Sequence, residues 1–300
     1  MKGEGVMEKK RIGFVGLGLM GSGMAKNLMA AGFPLVGYDI DESKMEAISK
    51  LGGKRLASPE RMSAEVDVII FSLPNSHIVN DVVKNALKLF EFWKKGLIVI
   101  DATTADPILS EELATQLREK GIEMLDATVS GTSKMCAEKD VIFMVGGKDG
   151  IFKECQPIFS AMGKEAFFVG KNGAGATTKL VVNLVLGLNR MALAEGLTLG
   201  KKAGMDQRRL LEVLMKSAAY SKAMDMKGSK MVNKEFLPPE GKLGFYLKDV
   251  RLMLDLGHRL NCPLPLISVH AQALLSEVSK GRAEWDSADI ISFYEALANL

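Results

Sequence analysis

Three cysteines, three histidines and two tryptophans are all that the 300 residues hold of those types, and each scarcity excludes something. Cys136, Cys155 and Cys262 are widely separated and odd in number, with no C-x-x-C pair. That excludes a disulfide framework and fits reduced thiols in a cytoplasmic compartment. His77, His258 and His270 stand apart from one another, so no metal site is predicted. Charge of one sign is never concentrated: the net charge is +3 and the sequence has no long basic or acidic run, which argues against nucleic acid or a membrane surface as partner. The opening MKGEGVMEKK lacks the apolar stretch of a signal peptide and reads as a disordered lead into the first strand. Only Leu180 to Leu199 approaches membrane length, and Asn183, Asn189, Arg190 and Glu195 interrupt it. An Arg near a bilayer centre costs about 2.5 to 3.5 kcal/mol, so this segment is expected to be a buried helix of a soluble protein. The expected partner is a small molecule.

What is abundant is apolar surface, at 47% of residues, and glycine in a particular arrangement. Gly16, Gly18 and Gly21 give the spacing G-x-G-x-x-G directly after the apolar run Ile12 to Val15, and Ser22 to Ala31 then reads as a helix that Gly32 can end. Gly16 allows a tight turn, Gly18 lets a pyrophosphate approach the backbone, and Gly21 permits close packing of helix on strand. The amides of Leu17, Leu19 and Met20 belong to the same turn, where a helix start favours an anion. A second apolar segment, Pro34 to Tyr38, ends in Asp39, about 20 residues beyond Gly18, the spacing at which a carboxylate meets a ribose hydroxyl. Asp39 could also serve as a turn or cap residue before Ser43. Strand, glycine turn, helix, strand and acid in that order point to dinucleotide binding. Asp41 and Glu42 follow Asp39 and no Arg appears until Arg55, so a 2′-phosphate would meet negative charge and NAD is expected over NADP.

From Arg11 to about Gly170 short apolar runs alternate with helical segments, the mark of βαβ units and a mainly parallel sheet. The strands are expected at Ile12 to Val15, Leu35 to Asp39, Val66 to Ser72, Leu97 to Asp101, Glu123 to Asp126, Val141 to Val145 and Ala166 to Val169. Asp106 and Pro107 form a cap and first-turn pair for a helix over Pro107 to Glu119. After Gly170 the strands stop. Gly170, Asn172, Gly173 and Gly175 read as a flexible junction, and Ala176 to Lys202 as one helix spanning ~40 Å. Further helices are expected at Asp206 to Ala219, Lys248 to Arg259 and Pro265 to Lys280. The fold class is therefore α/β: a Rossmann dinucleotide-binding domain over residues 1–170, then an all-α domain over residues 171–300 begun by a long interdomain helix. That helix is apolar on most of its circumference, so it is expected to be buried centrally or at a subunit contact, which predicts a homo-oligomer, dimer or tetramer.

Lys179 and Asn183 are four residues apart and so share one face of that helix, where the two domains should meet. A Lys in an apolar cleft can exchange protons with an alcohol or carbonyl. Spacing alone also permits a solvated Lys and a locally bonded Asn.

Taken together, GFVGLGLMGSGMAKNL, DATVSGTSK, GAGATTKLVVN and FYLKDVRLMLDL, with CPLPLISVHAQALL and WDSADII, resemble the β-hydroxyacid dehydrogenase family, which includes 3-hydroxyisobutyrate dehydrogenases and semialdehyde reductases. The matches are ordered along nearly the whole chain. The resemblance implies hydride transfer between a nicotinamide cofactor and a small 3-hydroxy acid or its semialdehyde, with Lys179 as general acid/base and Asn183 assisting substrate binding. It further implies that Ser130 and Gly131 hold the substrate carboxylate, with Thr132 beside them. Leu73 and Pro74 are implied at the adenosine side of the cofactor, Thr103 and Thr104 beside the nicotinamide, and Lys248 near the nicotinamide end. The chain departs from the family at Thr128, where Pro is usual, at Thr132 and Met135, where Gly is usual, and at Leu184, where a second Asn is common. The first three are expected to reshape the acid pocket. Two other readings are an imine reductase, whose architecture is similar but which generally lacks a Lys at this position, and a non-catalytic dinucleotide-binding sensor.

Overall fold

The computed structural model describes residues 9–56 and 58–300; positions 1–8 of the lead-in lie outside them. The strands are β1 (Ile12–Val15), β2 (Leu35–Tyr38), β3 (Lys54–Arg55), β4 (Val68–Phe71), β5 (Ile98–Asp101), β6 (Glu123–Ser130), β7 (Ile142–Gly146) and β8 (Glu165–Gly170). They form one sheet in the order β3-β2-β1-β4-β5-β6-β7-β8. Neighbours run parallel except β6 and β7. Between them lie α1 (Leu19–Ala30), α2 (Glu42–Lys50), α3 (Met62–Glu65), α4 (Ser76–Asp81), α5 (Pro107–Glu119), α6 (Ser133–Ala137) and α7 (Asp149–Met162). Strand alternation divides the apolar side chains between two faces. Val68 and Ile70 join Met24, Leu28 and Phe159 on one side, while Ile69 and Phe71 join Met62, Val79 and Leu117 on the other. Burial on both faces explains why β1, β4 and β5 read as unbroken apolar runs.

The observed order of strands and the Pro107–Glu119 helix agree with the sequence, Asp106 capping that helix by accepting from the amide of Ile108 at 2.9 Å. β3 is not among the expected strands and most boundaries shift; two of the larger shifts have a plain cause. α1 starts at Leu19 rather than Ser22, because Gly18 itself stands at the N-cap with no side chain capping it. β6 runs on past Asp126 to Ser130, because Ala127 to Ser130 pair antiparallel with Ile142 to Val145 of β7.

The chain forms two compact units, Met1–Lys179 and Leu180–Leu300. α8 (Ala174–Lys202) begins in the first and continues through the second, which is completed by α9 (Gln207–Lys216), α10 (Lys222–Asn233), α11 (Leu243–Arg259), α12 (Pro265–Ser279) and α13 (Ile290–Leu297). The core of the second unit gathers Leu193, Leu197, Met231, Val250, Leu274 and Ile291. One buried carboxylate is tied firmly within it. Asp286, in the WDSADII motif, accepts from Lys227 Nζ at 2.8 Å and from the amides of Glu240 and Ala288. Gly187 leaves room for the Tyr246 ring, which the Arg190 guanidinium faces at 4.3 Å and the His270 ring meets at 5.5 Å. His270 is fully buried and burial pushes its pKa down to about 3, which keeps the ring neutral.

Within one chain the long helix is only partly buried. Val181, Val185 and Leu199 are more than half exposed, and a third of its most apolar stretch is covered. By length and composition alone it is apolar enough to span a membrane.

The glycine-rich stretch before α8 is fixed rather than flexible. Asn172 is buried, accepts from Arg118 at 2.7 Å and donates to the Met124 carbonyl at 2.8 Å. Gly175 is pressed against the sheet: a Cβ there would stand 2.2 Å from the Asp126 carbonyl oxygen and 2.6 Å from that of Met144. The absence of a side chain serves close approach, not mobility. Gly175→Ala is therefore expected to lower stability by about 1 to 3 kcal/mol through overpacking. Thermal unfolding checks this, and an unchanged Tm would show that the contact tolerates a methyl group.

Candidate active site

The turn between β1 and α1 has the shape that its glycines predict. Gly16 has φ +91°, and a Cβ on it would meet the Ser72 carbonyl at 2.3 Å. A Cβ on Gly21 would meet the Gly16 carbonyl at 1.9 Å, so helix and turn are in direct backbone contact. Gly18 differs, with nothing within 4 Å of the position its Cβ would take. The protein's own packing therefore does not require glycine there, while an approaching ligand would. Beyond Gly18 the first-turn amides of Leu19, Met20 and Gly21 carry no side-chain cap, a standing attraction for an anion.

Asp39 reaches this turn from the end of β2. Its carboxylate accepts from the amide of Leu17 at 2.7 Å and from that of Asp41 at 3.0 Å. The helix cap of α2 is Asp41, not Asp39. Lys44, delivered by the first turn of α2, stands 3.8 Å from both Asp39 and Asp41, a cation not apparent from the run of acids alone. Two apolar side chains flank the turn in full exposure, Leu19 at 81% and Ile40 at 94%. Ile40 has no signature of its own in the sequence.

The loops after β4 and β5 are joined. The amide of Leu73 donates to Thr103 Oγ1 at 3.1 Å, and the amide of Thr103 donates to Asp101 Oδ1 at 2.9 Å. Asp101 is thus the anchor of the Leu73-Pro74 and Thr103-Thr104 loops, a role that its place as the last residue of an apolar strand did not announce. Burial pushes its carboxyl pKa up to about 7, with neighbouring Asp126 adding to the shift and the Thr103 bonds opposing it.

Asp126 is the register partner of Asp101 on β6 and is likewise buried. Burial raises its pKa against the bonds it accepts from Ala176 and Gly173. Those amides reach it at 3.0 and 2.9 Å, so this carboxylate caps the start of α8 from across the sheet. Two residues along the strand, Thr128 Oγ1 donates to the Gly175 carbonyl at 2.8 Å and is fully buried. Thr128 therefore holds a helix to a strand. Ser130 follows on the same strand face, at the period of two. On α8, Lys179 lies one turn beyond Gly175 on the face that Gly175 presses to the sheet. Strand and helix thus carry Ser130 and Lys179 forward from a common clamp within the first unit.

Gly131 has φ +144° and abuts Val141, where a Cβ would lie 2.6 Å from a methyl group. Thr132 caps α6, its hydroxyl oxygen accepting from the amide of Met135 at 3.2 Å, which leaves its proton to donate. Met135 packs against the apolar core. In the second unit, Asn183 Nδ2 donates to Asp249 Oδ2 at 3.0 Å, and the Asn183 carbonyl accepts from Tyr246 at 3.1 Å. Lys248 is 3.5 Å from the same Asp249. The structure thus brings Asn183 and Lys248 to one carboxylate, the third residue of the LKD run, which the spacing did not single out.

Comparison with known proteins matches this geometry. Residues 11–170 fit the NAD binding domain of 6-phosphogluconate dehydrogenase, and residues 173–294 fit the NAD-binding domain of NADP-dependent 3-hydroxyisobutyrate dehydrogenase. The 2-(hydroxymethyl)glutarate dehydrogenase of Eubacterium barkeri is 32% identical over 98% of both chains. Among solved structures, the Mycobacterium tuberculosis 3-hydroxyisobutyrate dehydrogenase with L-serine has a TM-score of 0.87 and 26% identity, covering 95% of this chain and 98% of its own. An imine reductase from Pseudomonas sp. shares the fold alone, with a TM-score of 0.62 and 16% identity over 95% of this chain and 99% of its own. The chain therefore belongs to the 3-hydroxyisobutyrate dehydrogenase family of hydroxyacid dehydrogenases, which are dinucleotide-binding oxidoreductases.

Proposed function

We propose that the chain transfers a hydride between NAD and a small 3-hydroxy acid or the corresponding semialdehyde, with Lys179 as general acid/base. The observation that supports this reading is the clamp of Asp126 and Thr128 on the first turn of α8, the helix that bears Lys179, with Ser130 at the end of the same strand. The residues at the glycine turn suit a dinucleotide: the open position at Gly18 admits a pyrophosphate, the uncapped amides of Leu19 to Gly21 attract it, and exposed Leu19 and Ile40 offer apolar cover. Asp39 would take the ribose hydroxyls. Leu73, Pro74, Thr103 and Thr104 would line the cofactor, with Lys248 toward its nicotinamide end. When bound, the cofactor supplies or receives the hydride.

In this reading the Ser130 hydroxyl and the Gly131 amide, with the Thr132 hydroxyl, orient the carboxylate of the acid. Lys179 takes the proton of the substrate hydroxyl during oxidation and returns it to the carbonyl oxygen during reduction. Asn183, one turn along α8 and held by Asp249, keeps the reacting oxygen in register with Lys179. An imine reductase is less well supported, since its likeness is of fold alone and Lys179 is present. A non-catalytic sensor is less well supported, since Lys179 and Asn183 are both present.

A panel of succinic semialdehyde, methylmalonate semialdehyde, glyoxylate and a cyclic imine, each with NADH and NADPH, tests the reaction class. Turnover of an aldehyde acid is expected; turnover of the imine alone, or of none, would reject the assignment. Lys179→Ala should leave dinucleotide binding intact and lower turnover by about 10² to 10⁴, the contribution of a positioned general acid or base. Near-normal turnover would remove Lys179 from that role.

NAD is the proposed cofactor because Asp39 presents a carboxylate where a 2′-phosphate would come, and Asp41 and Glu42 follow it. Asp39→Asn should weaken NAD binding by about tenfold more than NADP binding, the worth of roughly one charge-assisted hydrogen bond. Isothermal titration with both cofactors measures this, and wild-type protein preferring NADPH would show Lys44 to outweigh the acids.

We also propose a soluble, cytoplasmic homo-oligomer that binds neither nucleic acid nor membrane, in which a second copy covers the exposed Val181, Val185 and Leu199 of α8. Sedimentation at micromolar concentration should give a dimer or tetramer; a lone 32.5 kDa species would reject the assembly and leave the chemistry untouched.

A further inference from the structure

The Gly175 carbonyl has two claims on it. In α-helical geometry it accepts from the amide of the residue four positions on, which is Lys179. It also accepts from the buried hydroxyl of Thr128 at 2.8 Å. On either side of it, both oxygens of Asp126 are used, Oδ1 by the amide of Gly173 and Oδ2 by that of Ala176. Three hydrogen bonds from one strand face therefore hold the first turn of α8, and Gly175 lets the backbones touch. A helix turn so held can neither rotate nor slide without breaking buried bonds, each costing about 1 to 3 kcal/mol when a partner is left unsatisfied.

We propose that Asp126 and Thr128 are positioning residues for Lys179, fixing through the first turn of α8 where its ammonium group stands relative to Ser130. Neither touches the reacting atoms. The proposal rests on the reading of Lys179 as the proton-transfer group. Thr128 is the informative partner, because the Pro usual in the resembling family has neither hydroxyl nor amide proton and could not make this bond.

The test uses the whole protein and the aldehyde of the panel that turns over with NADH. Thr128→Val removes the hydroxyl and keeps the shape. It should lower kcat about 5- to 20-fold, since displacement of a reacting group by an ångström costs up to about 10²-fold, while leaving KM for NADH within twofold. Thr128→Ser should restore kcat to within twofold. Asp126→Asn keeps one acceptor and turns the other into a donor, and should lower kcat further than Thr128→Val. In the Lys179→Ala background neither change should alter the residual rate by more than twofold, because both act through Lys179.

Unchanged kcat in Thr128→Val overturns the proposal, and so does an undiminished effect in the Lys179→Ala background, which would mark general damage to the fold. Thr128→Ser behaving like Thr128→Val would assign the effect to packing instead of the hydroxyl. Should Asp126→Asn fail to fold, the Thr128 series decides alone. Near-normal turnover of Lys179→Ala would instead overturn the underlying reading, a result distinct from any of these.

Discussion

The carboxylate of Asp126 is the constraint from which the arrangement of the first unit follows. It is buried on a central strand, and its two oxygens accept from amides that open α8. A helix start carries unsatisfied N–H groups that need acceptors, and a buried carboxylate needs donors; each resolves the other's deficit. The glycines around it are consequences. Gly146 and Gly175 both lack side chains where one would collide with Asp126. On the neighbouring strand Asp101 repeats the solution for the loops after β4 and β5, using Thr103 as the intermediary. Two adjacent buried acids thus hold, respectively, the candidate proton-transfer helix and two candidate cofactor loops.

Much of this was legible in the residues. The unbroken apolar run Val68 to Phe71, the Asp106-Pro107 cap and the order of glycines in the β1 turn each carry a local physical cause, and each is found where that cause places it. What was not legible depends on contacts remote in sequence. Ala127 to Ser130 looked like a loop because their strand character comes from antiparallel pairing with β7. α10 hides behind Gly228, an interior helix glycine whose use is to admit Leu211. Its propensity penalty is offset by packing that no window of sequence contains. α13 begins Ile-Ile-Ser-Phe-Tyr, residues that favour strands by propensity, and is a helix because burial of Ile290, Ile291 and Tyr294 decides.

The candidate site divides in the same way. Lys179, Asn183, Ser130 and the glycine turn announce themselves by motif, since chemistry demands particular residue types at particular spacings. Asp101, Asp126, Thr128 and Asp249 do not, since supporting a reactive group calls only for the right donor or acceptor at the end of a fold-dependent vector. Thr128 illustrates the point. As a letter it reads as a departure in a pocket-forming loop, and as an atom it is a hydroxyl bonded to a helix carbonyl.

β6 is eight residues long, with Asp126 and Thr128 in its middle and Ser130 at its end. The fixed half of the strand sets the lysine-bearing helix, while the segment after Ser130, with Gly131, Thr132 and Met135, is free of that duty. On the proposed reading, changes in the later segment would alter which acid is accepted without retuning the proton donor, so that substrate choice and acid–base geometry sit at separate ends of one strand.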